Sequence, residues 1–139
     1  MAEYETHPGI GVMLSWLGGN ESSVAALKES AGKEIATLDI DEERLLFTFT
    51  DGTAMKLYDN GQYCCEKRYM HTDDRLGDFI GAQFRKAEVR DGPTEIMEWG
   101  EPKESQFLLI TTSIGQFTVV NYNEHNGYYG GFALEAKKV

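Results

Sequence analysis

A chain of 139 residues with 41% apolar and 12% aromatic residues has room for one domain with a real core and little room for two, and its composition excludes global disorder. Its net charge of −10, from 13 basic and 23 acidic residues, argues against general binding to a phosphate backbone. No apolar run reaches the roughly 20 residues that a membrane-spanning helix needs.

The start of the chain reads as neither a signal peptide nor an anchor. Glu3 and Glu5 stand where basic residues belong, and Gly9 to Leu17 is short and broken by Gly11 and Ser15. A cytoplasmic protein is expected. Met1 to Asn20 is punctuated by Pro8, Gly9, Gly11, Gly18 and Gly19, yet Met13, Leu14, Trp16 and Leu17 are too apolar for a free tail. Residues 1–21 are therefore read as an extension packed on the domain or on a neighbouring copy, and residues 22–139 as the domain itself.

A helix is predicted from Glu21-Ser22-Ser23, where a serine can cap the first turn, to Gly32, which stops it. Strands follow over Glu34 to Ile40, Arg44 to Thr50 and Thr53 to Tyr58, with Asp51-Gly52 a hairpin turn and Asp59-Asn60-Gly61 ending the meander. Tyr63 to Met70 reads as extended. Its adjacent Cys64 and Cys65 point to opposite faces of a strand, cannot bridge without strain, and are too few for a zinc site, so free thiols are expected.

Thr72-Asp73-Asp74 reads as the cap of a short helix, Arg75 to Ile80, in which Leu76, Phe79 and Ile80 share a face and Gly81 closes the element. Gln83 to Val89 is a strand, Asp91-Gly92-Pro93 a turn, and Glu95 to Ser105 a charged exposed loop onto which Trp99 docks. Gln106 to Thr112 and Gln116 to Tyr122 are the two clearest strands, joined at Gly115, and Phe132 to Lys137 is a final short one. The sum is a single α+β domain: a mostly antiparallel β-sheet of about seven strands with two short helices.

Two blocks are dense in functional groups. In the first, Cys64 to Asp74 (CCEKRYMHTDD), Glu66 and Arg68 share a strand face, either as a structural ion pair or with the arginine aimed at an anion. From Glu66 to Arg90 the chain carries six basic against five acidic residues, so a small anion could be held locally on a molecule that repels long polyanions. In the second block, Asn121 to Phe132 (NYNEHNGYYGGF), Asn123, Asn126 and the three glycines Gly127, Gly130 and Gly131 supply turn chemistry, while Tyr122, Tyr128, Tyr129 and Phe132 supply flat faces suited to a base. The plainer alternative is a glycine-rich turn whose tyrosines cover the core.

His71, Asp73, Glu124 and His125 could in principle hold a metal, but their spacing matches no metal motif, and Asp73 and Asp74 are more simply helix-capping groups. No Gly-x-Ser-x-Gly elbow or Gly-x-x-x-x-Gly-Lys phosphate loop is present, so no enzyme chemistry and no cofactor are expected.

The blocks CCEKRYMHTDD, LGDFIGA, FLLITTSIGQFTV and NEHNGYYGGF, spread from about Leu27 to Phe132, resemble a family of small uncharacterised phage and prophage proteins. More remotely, Cys64-Cys65-Glu66, Leu76 to Gly81, Thr112 to Gly115 and His125 to Tyr129 are similar in order to phage anti-defence proteins of the first type that act against Thoeris immunity. His125 stands here where those proteins carry serine, and Gly130-Gly131 follows the paired tyrosines. That resemblance implies a non-catalytic, homo-oligomeric sponge for a cyclic ADP-ribose type signal or a cyclic oligonucleotide, working in the cytoplasm of an infected bacterium. Arg68 or Arg75 would meet phosphate, Tyr128 or Tyr129 would stack on a base, and Asn123 and Asn126 would make polar contacts beside Tyr69, His71 and His125. Two alternatives stand beside it: an acidic inhibitor of a host defence protein, and a metal-dependent hydrolase using His71, Asp73, Glu124 and His125.

Overall fold

The computed structural model describes residues 21–61, 66–98, 100–127 and 131–139. The expectations for the first twenty residues, Tyr63, Cys64, Cys65, Trp99, Tyr128 and Tyr129 lie outside the described residues.

Helix α1 spans Glu21–Ser30 and buries Ser23, Ala26, Leu27 and Ser30, the i, i+3, i+4, i+7 stripe of one helix face. Gly32, at φ 88°, turns the chain in the left-handed region that only glycine adopts without strain. Strands β1 (Ile35–Ile40), β2 (Arg44–Phe49), β3 (Ala54–Asp59) and, from the end of the chain, β8 (Leu134–Lys138) form one antiparallel sheet in the order β1-β2-β3-β8. The free edge of β8 is covered by α1, whose Ser23 hydroxyl accepts a hydrogen bond from Ala136 N at 3.1 Å.

Strands β4 (Lys67–His71), β5 (Phe84–Ile96), β6 (Pro102–Thr112) and β7 (Gly115–Glu124) form the second antiparallel sheet, ordered β4-β7-β6-β5. The apolar faces of both sheets meet in one core built on Leu45, Phe47, Phe49, Met55 and Leu57 from the first and Phe84, Val89, Leu108, Ile110, Phe117 and Val119 from the second. Lys33, Ile35, Ala82 and Phe84 stitch the sheets together through backbone bonds of 2.8–2.9 Å. The fold is thus α+β and mostly antiparallel, with eight strands, one α-helix and one 3₁₀ helix among the described residues. No helix among them is long and apolar enough to cross a membrane.

Three local expectations are corrected. The segment after Asp74 forms only a 3₁₀ helix, Leu76–Phe79, with no side-chain cap. Three residues per turn put Leu76 and Phe79 on the core and leave Ile80 44% exposed, because the i+4 position no longer shares their face. Asp73 instead holds His71, while Thr72 Oγ1 donates to Thr118 O and Asp74 Oδ2 accepts from Thr118 N. These two side chains satisfy the β7 backbone just past the last β4–β7 pair, His71–Val120.

Asp91-Gly92-Pro93 is not a turn but a bulge inside β5, where the register with β6 shifts between Asp91 and Thr94. A Cβ on Gly92 would lie 2.6 Å from Ser105 Oγ, which is why glycine fits there. Glu95 to Ser105, expected as a loop, is mostly the outer half of the β5–β6 hairpin, with Glu95 and Ile96 paired to Lys103 and Pro102.

At the β2–β3 turn, the Thr53 hydroxyl and then its backbone N–H bond the Asp51 carboxylate, with Lys33 Nζ 3.1 Å away. The Thr53 hydroxyl bond, the Thr53 backbone bond and Lys33 together depress the Asp51 carboxyl from 3.8 to about 2. A folded value below the unfolded one means that its stabilisation is complete above the unfolded value and is lost as pH falls through about 2. Carboxyl NMR should place the Asp51 midpoint near 2, and an Asp51→Asn variant should lose that part of the acid dependence; a midpoint near 4 would contradict the turn geometry.

Candidate functional site

The two sequence blocks become neighbouring strands. β4 pairs with β7 in the register Lys67–Glu124, Arg68–Asn123, Tyr69–Tyr122 and Met70–Asn121. Alternation then sorts the chemistry onto two faces. Glu66, Arg68 and Met70 turn inward with Asn121 and Asn123, and Lys67 and Tyr69 turn outward with Tyr122 and Glu124.

The inward group is a locked ion cluster. Arg68 reaches Asp59 Oδ1 at 2.8 Å and Glu66 Oε2 at 2.8 Å, and all three side chains are at least nine-tenths buried. Asn123 Nδ2 donates to the same Glu66 oxygen at 2.7 Å and to Gly131 O at 2.9 Å. Asp59 also accepts from Gly61 N and Ala133 N, so it ties the end of β3 to the segment entering β8. Burial alone would lower the Arg68 pKa, but the hydrogen bonds it donates to Glu66 and Asp59, with their negative charge, outweigh it and raise the value. The alternative left open by sequence is settled here: Glu66 and Arg68 are a structural ion pair.

The outward group is an aromatic platform. The Tyr69 and Tyr122 rings lie 5.1 Å apart at 32°, with Lys103 Nζ 4.4 Å from the Tyr122 centroid and Lys67 Nζ 5.2 Å from that of Tyr69. Tyr69 donates to Glu124 Oε2. Burial first, and then that bond to a carboxylate, push the Tyr69 phenol well above its ordinary range, so it remains a donor.

β4 is an edge strand, so residues from both its faces border the cleft between it and the ends of β2 and β3. This cleft, about 370 Å³, is lined by Arg44, Lys56 and Tyr58 from the first sheet and by Arg68, Tyr69, Met70, Asn121 and Tyr122 from the second, together with the carboxylates of Glu42, Glu43 and Asp59. Two buried polar atoms of its wall have no hydrogen-bond partner: Arg44 Nη1 and Asn121 Oδ1. Arg44 Nη1 lies 3.5 Å from Asp41 without a hydrogen bond, while Nη2 is held by Asp39 at 3.1 Å. Asn121 Nδ2 donates to Gln106 O on β6 at 3.2 Å, which leaves Oδ1 as the end of the amide without a hydrogen bond.

Of the residues singled out from sequence, Arg68, Tyr69 and Tyr122 line this cleft, and Asn123 lies beside it in the ion cluster. His71 and Arg75 are exposed and outside the lining, His125 pairs with Glu104 at 3.0 Å, and Asn126 is exposed beyond the end of β7. The set His71, Asp73, Glu124 and His125 does not converge: His71 and Asp73 pair with each other at one end of β4, Glu124 binds Tyr69, and His125 binds Glu104. Among the described residues no group of three or more His, Cys, Asp or Glu side chains is arranged to hold a metal. Arg44, Lys56, Tyr58 and Asn121 were not anticipated; the pairing of Arg44 opposite Tyr58 and of Leu46 opposite Lys56, on the face away from the buried Leu45 and Leu57, is the pattern that points to the first three.

A sequence match to the family described as "Domain of unknown function (DUF7448)" covers residues 28–134. No curated protein and no solved structure matches the chain significantly. The matched segment runs from α1 through the start of β8 and includes both strands of the site. The chain therefore belongs to the DUF7448 family.

Proposed function

We propose that this chain is a non-catalytic binding protein that sequesters a small cyclic nucleotide, of cyclic ADP-ribose type or a cyclic oligonucleotide, as an anti-defence protein of a phage. The ligand would occupy the cleft between β4 and the ends of β2 and β3. The observation that carries the reading is a pair of buried polar atoms without a hydrogen bond on residues lining the cleft, a guanidinium donor of Arg44 from the first sheet and an amide acceptor of Asn121 from the second. A phosphate oxygen answers the first and a base amine the second. Tyr58, Tyr69 and Tyr122 add flat faces, and Lys56 a further cation 4.6 Å from the Tyr58 centroid. Stacking on such faces is worth about 1–3 kcal/mol per base.

Calorimetry of the folded protein against cyclic ADP-ribose isomers and cyclic di- and trinucleotides tests this. One member should bind saturably, emerge chemically intact after heat denaturation, and bind about 10- to 100-fold more weakly to Tyr122→Ala. Silence across the panel would remove the reading, and recovery of an altered ligand would make the protein an enzyme.

A second reading, an acidic inhibitor of a host protein, is favoured by the tip of the β5–β6 hairpin. Ile96, 69% exposed, and Met97 stand there among Glu95, Glu98 and Glu101. One stoichiometric partner recovered by the native chain and lost with Ile96→Glu would favour it.

A further inference from the structure

We infer that the bulge of β5 forms a second binding site, one for an organic ammonium ion, independent of the cleft at β4. The β5–β6 register sets Asp91 directly opposite Gln106, with Glu104 two residues earlier on the same face. These three border a cleft of about 550 Å³ with Gly92, Thr94 and Phe132.

Gln106 is 4% exposed, and its Oε1 has no hydrogen-bond partner. Its Nε2 reaches Asp91 Oδ1 at only 3.5 Å, the long limit of a hydrogen bond, so the amide is weakly held. Glu104 uses Oε1 for both His125 Nε2 and Gly131 N, and no described residue bonds its Oε2. The wall therefore combines a buried amide oxygen that lacks a donor with two carboxylates that are only partly engaged, Asp91 by Gln106 and Glu104 by His125 and Gly131.

A guest with N–H donors and positive charge supplies what this wall lacks. Among the described residues no third His, Cys, Asp or Glu joins Asp91 and Glu104 to hold a metal ion, and Phe132 offers an aromatic border to an alkylammonium chain. A net charge of −10 raises the local concentration of such cations. An aliphatic diamine is the simplest such guest, because it carries one ammonium end for each of the two carboxylates bordering the cleft, Asp91 and Glu104.

Titration of the full chain with putrescine, followed by calorimetry and by the NMR signals of the Gln106 side-chain amide, tests the site. Expected are saturable one-to-one binding, a shift of those amide signals, and about tenfold weaker affinity in Asp91→Asn, with Asp78→Asn unchanged. Asp78 lies in the 3₁₀ helix and outside the cleft lining, so it controls for attraction to the acidic surface as a whole. Equal weakening in both variants, undiminished binding in Asp91→Asn, or saturation by calcium but not putrescine would each overturn the inference. Because neither variant touches Arg44, Tyr122 or Asn121, a failure here leaves the nucleotide reading standing, and the reverse also holds.

Discussion

Replacing Arg68 with alanine is expected to destabilise the fold by about 3–5 kcal/mol, the cost of leaving buried carboxylates without their counter-charge. The side chains of Arg68, Glu66 and Asp59 are 6%, 0% and 10% exposed, so solvent cannot compensate what the guanidinium now does. The damage would spread from β4, because Asp59 also holds Gly61 N and Ala133 N and Glu66 also holds Asn123. Urea unfolding measures the loss directly. A double change, Arg68→Met with Glu66→Leu, should cost less than the sum of the two single changes, since it strands only Asp59 where Arg68→Met alone strands both carboxylates. A loss below about 1 kcal/mol for Arg68→Ala would mean that the cluster behaves as a solvated surface pair.

Phe84→Ala is expected to be as damaging, at about 3–5 kcal/mol, through loss of buried area and the cavity left behind. Phe84 is fully buried and sits where the two sheets are stitched, bonded through its backbone to Gly32 and Lys33. Its ring packs edge-on against Phe47 at 5.3 Å and near Phe49 at 6.5 Å, both from the opposite sheet. The contact is therefore part of the adhesion between the sheets. Thermal unfolding should show a single lowered transition, with lost near-ultraviolet dichroism from the aromatic cluster. An unchanged midpoint would mean that the sheets dock elsewhere.

The strands that were easiest to read are those with one wet and one dry face. In β6 and β7 every second residue from Gln106 to Thr112 and from Phe117 to Asn123 is buried, and Gly115 stands at the turn between them. The outer half of β5 was illegible for the opposite reason. From Arg90 to Ile96 almost every side chain is exposed on both faces, so the sequence carries no period of two and looks like a charged loop. The short segment at Leu76–Phe79 has helical spacing but only four helical residues, too few for periodicity to distinguish a 3₁₀ turn from an α-helix.

The site divides in the same way. That Glu66 and Arg68 share a face followed from strand geometry alone, and it holds. That their third partner is Asp59, nine residues before Arg68, followed from where β3 ends relative to β4, which no local pattern encodes. The cleft residues Arg44, Lys56 and Tyr58 come from the first sheet, and they meet Tyr69, Asn121 and Tyr122 only because the sheets dock as they do.

By itself the sequence determined an acidic single-domain chain, its antiparallel β-rich class, most of its turns and the residues that carry polar and aromatic chemistry, because composition and alternation are local properties. Only the tertiary structure decided that Arg68 is neutralised within the protein, that His71 and His125 belong to separate pairs, and that one cleft gathers tyrosines with a buried donor and a buried acceptor that make no hydrogen bond. Those outcomes depend on which strands become neighbours, a choice made by burial of the shared apolar core rather than by any short stretch of chain.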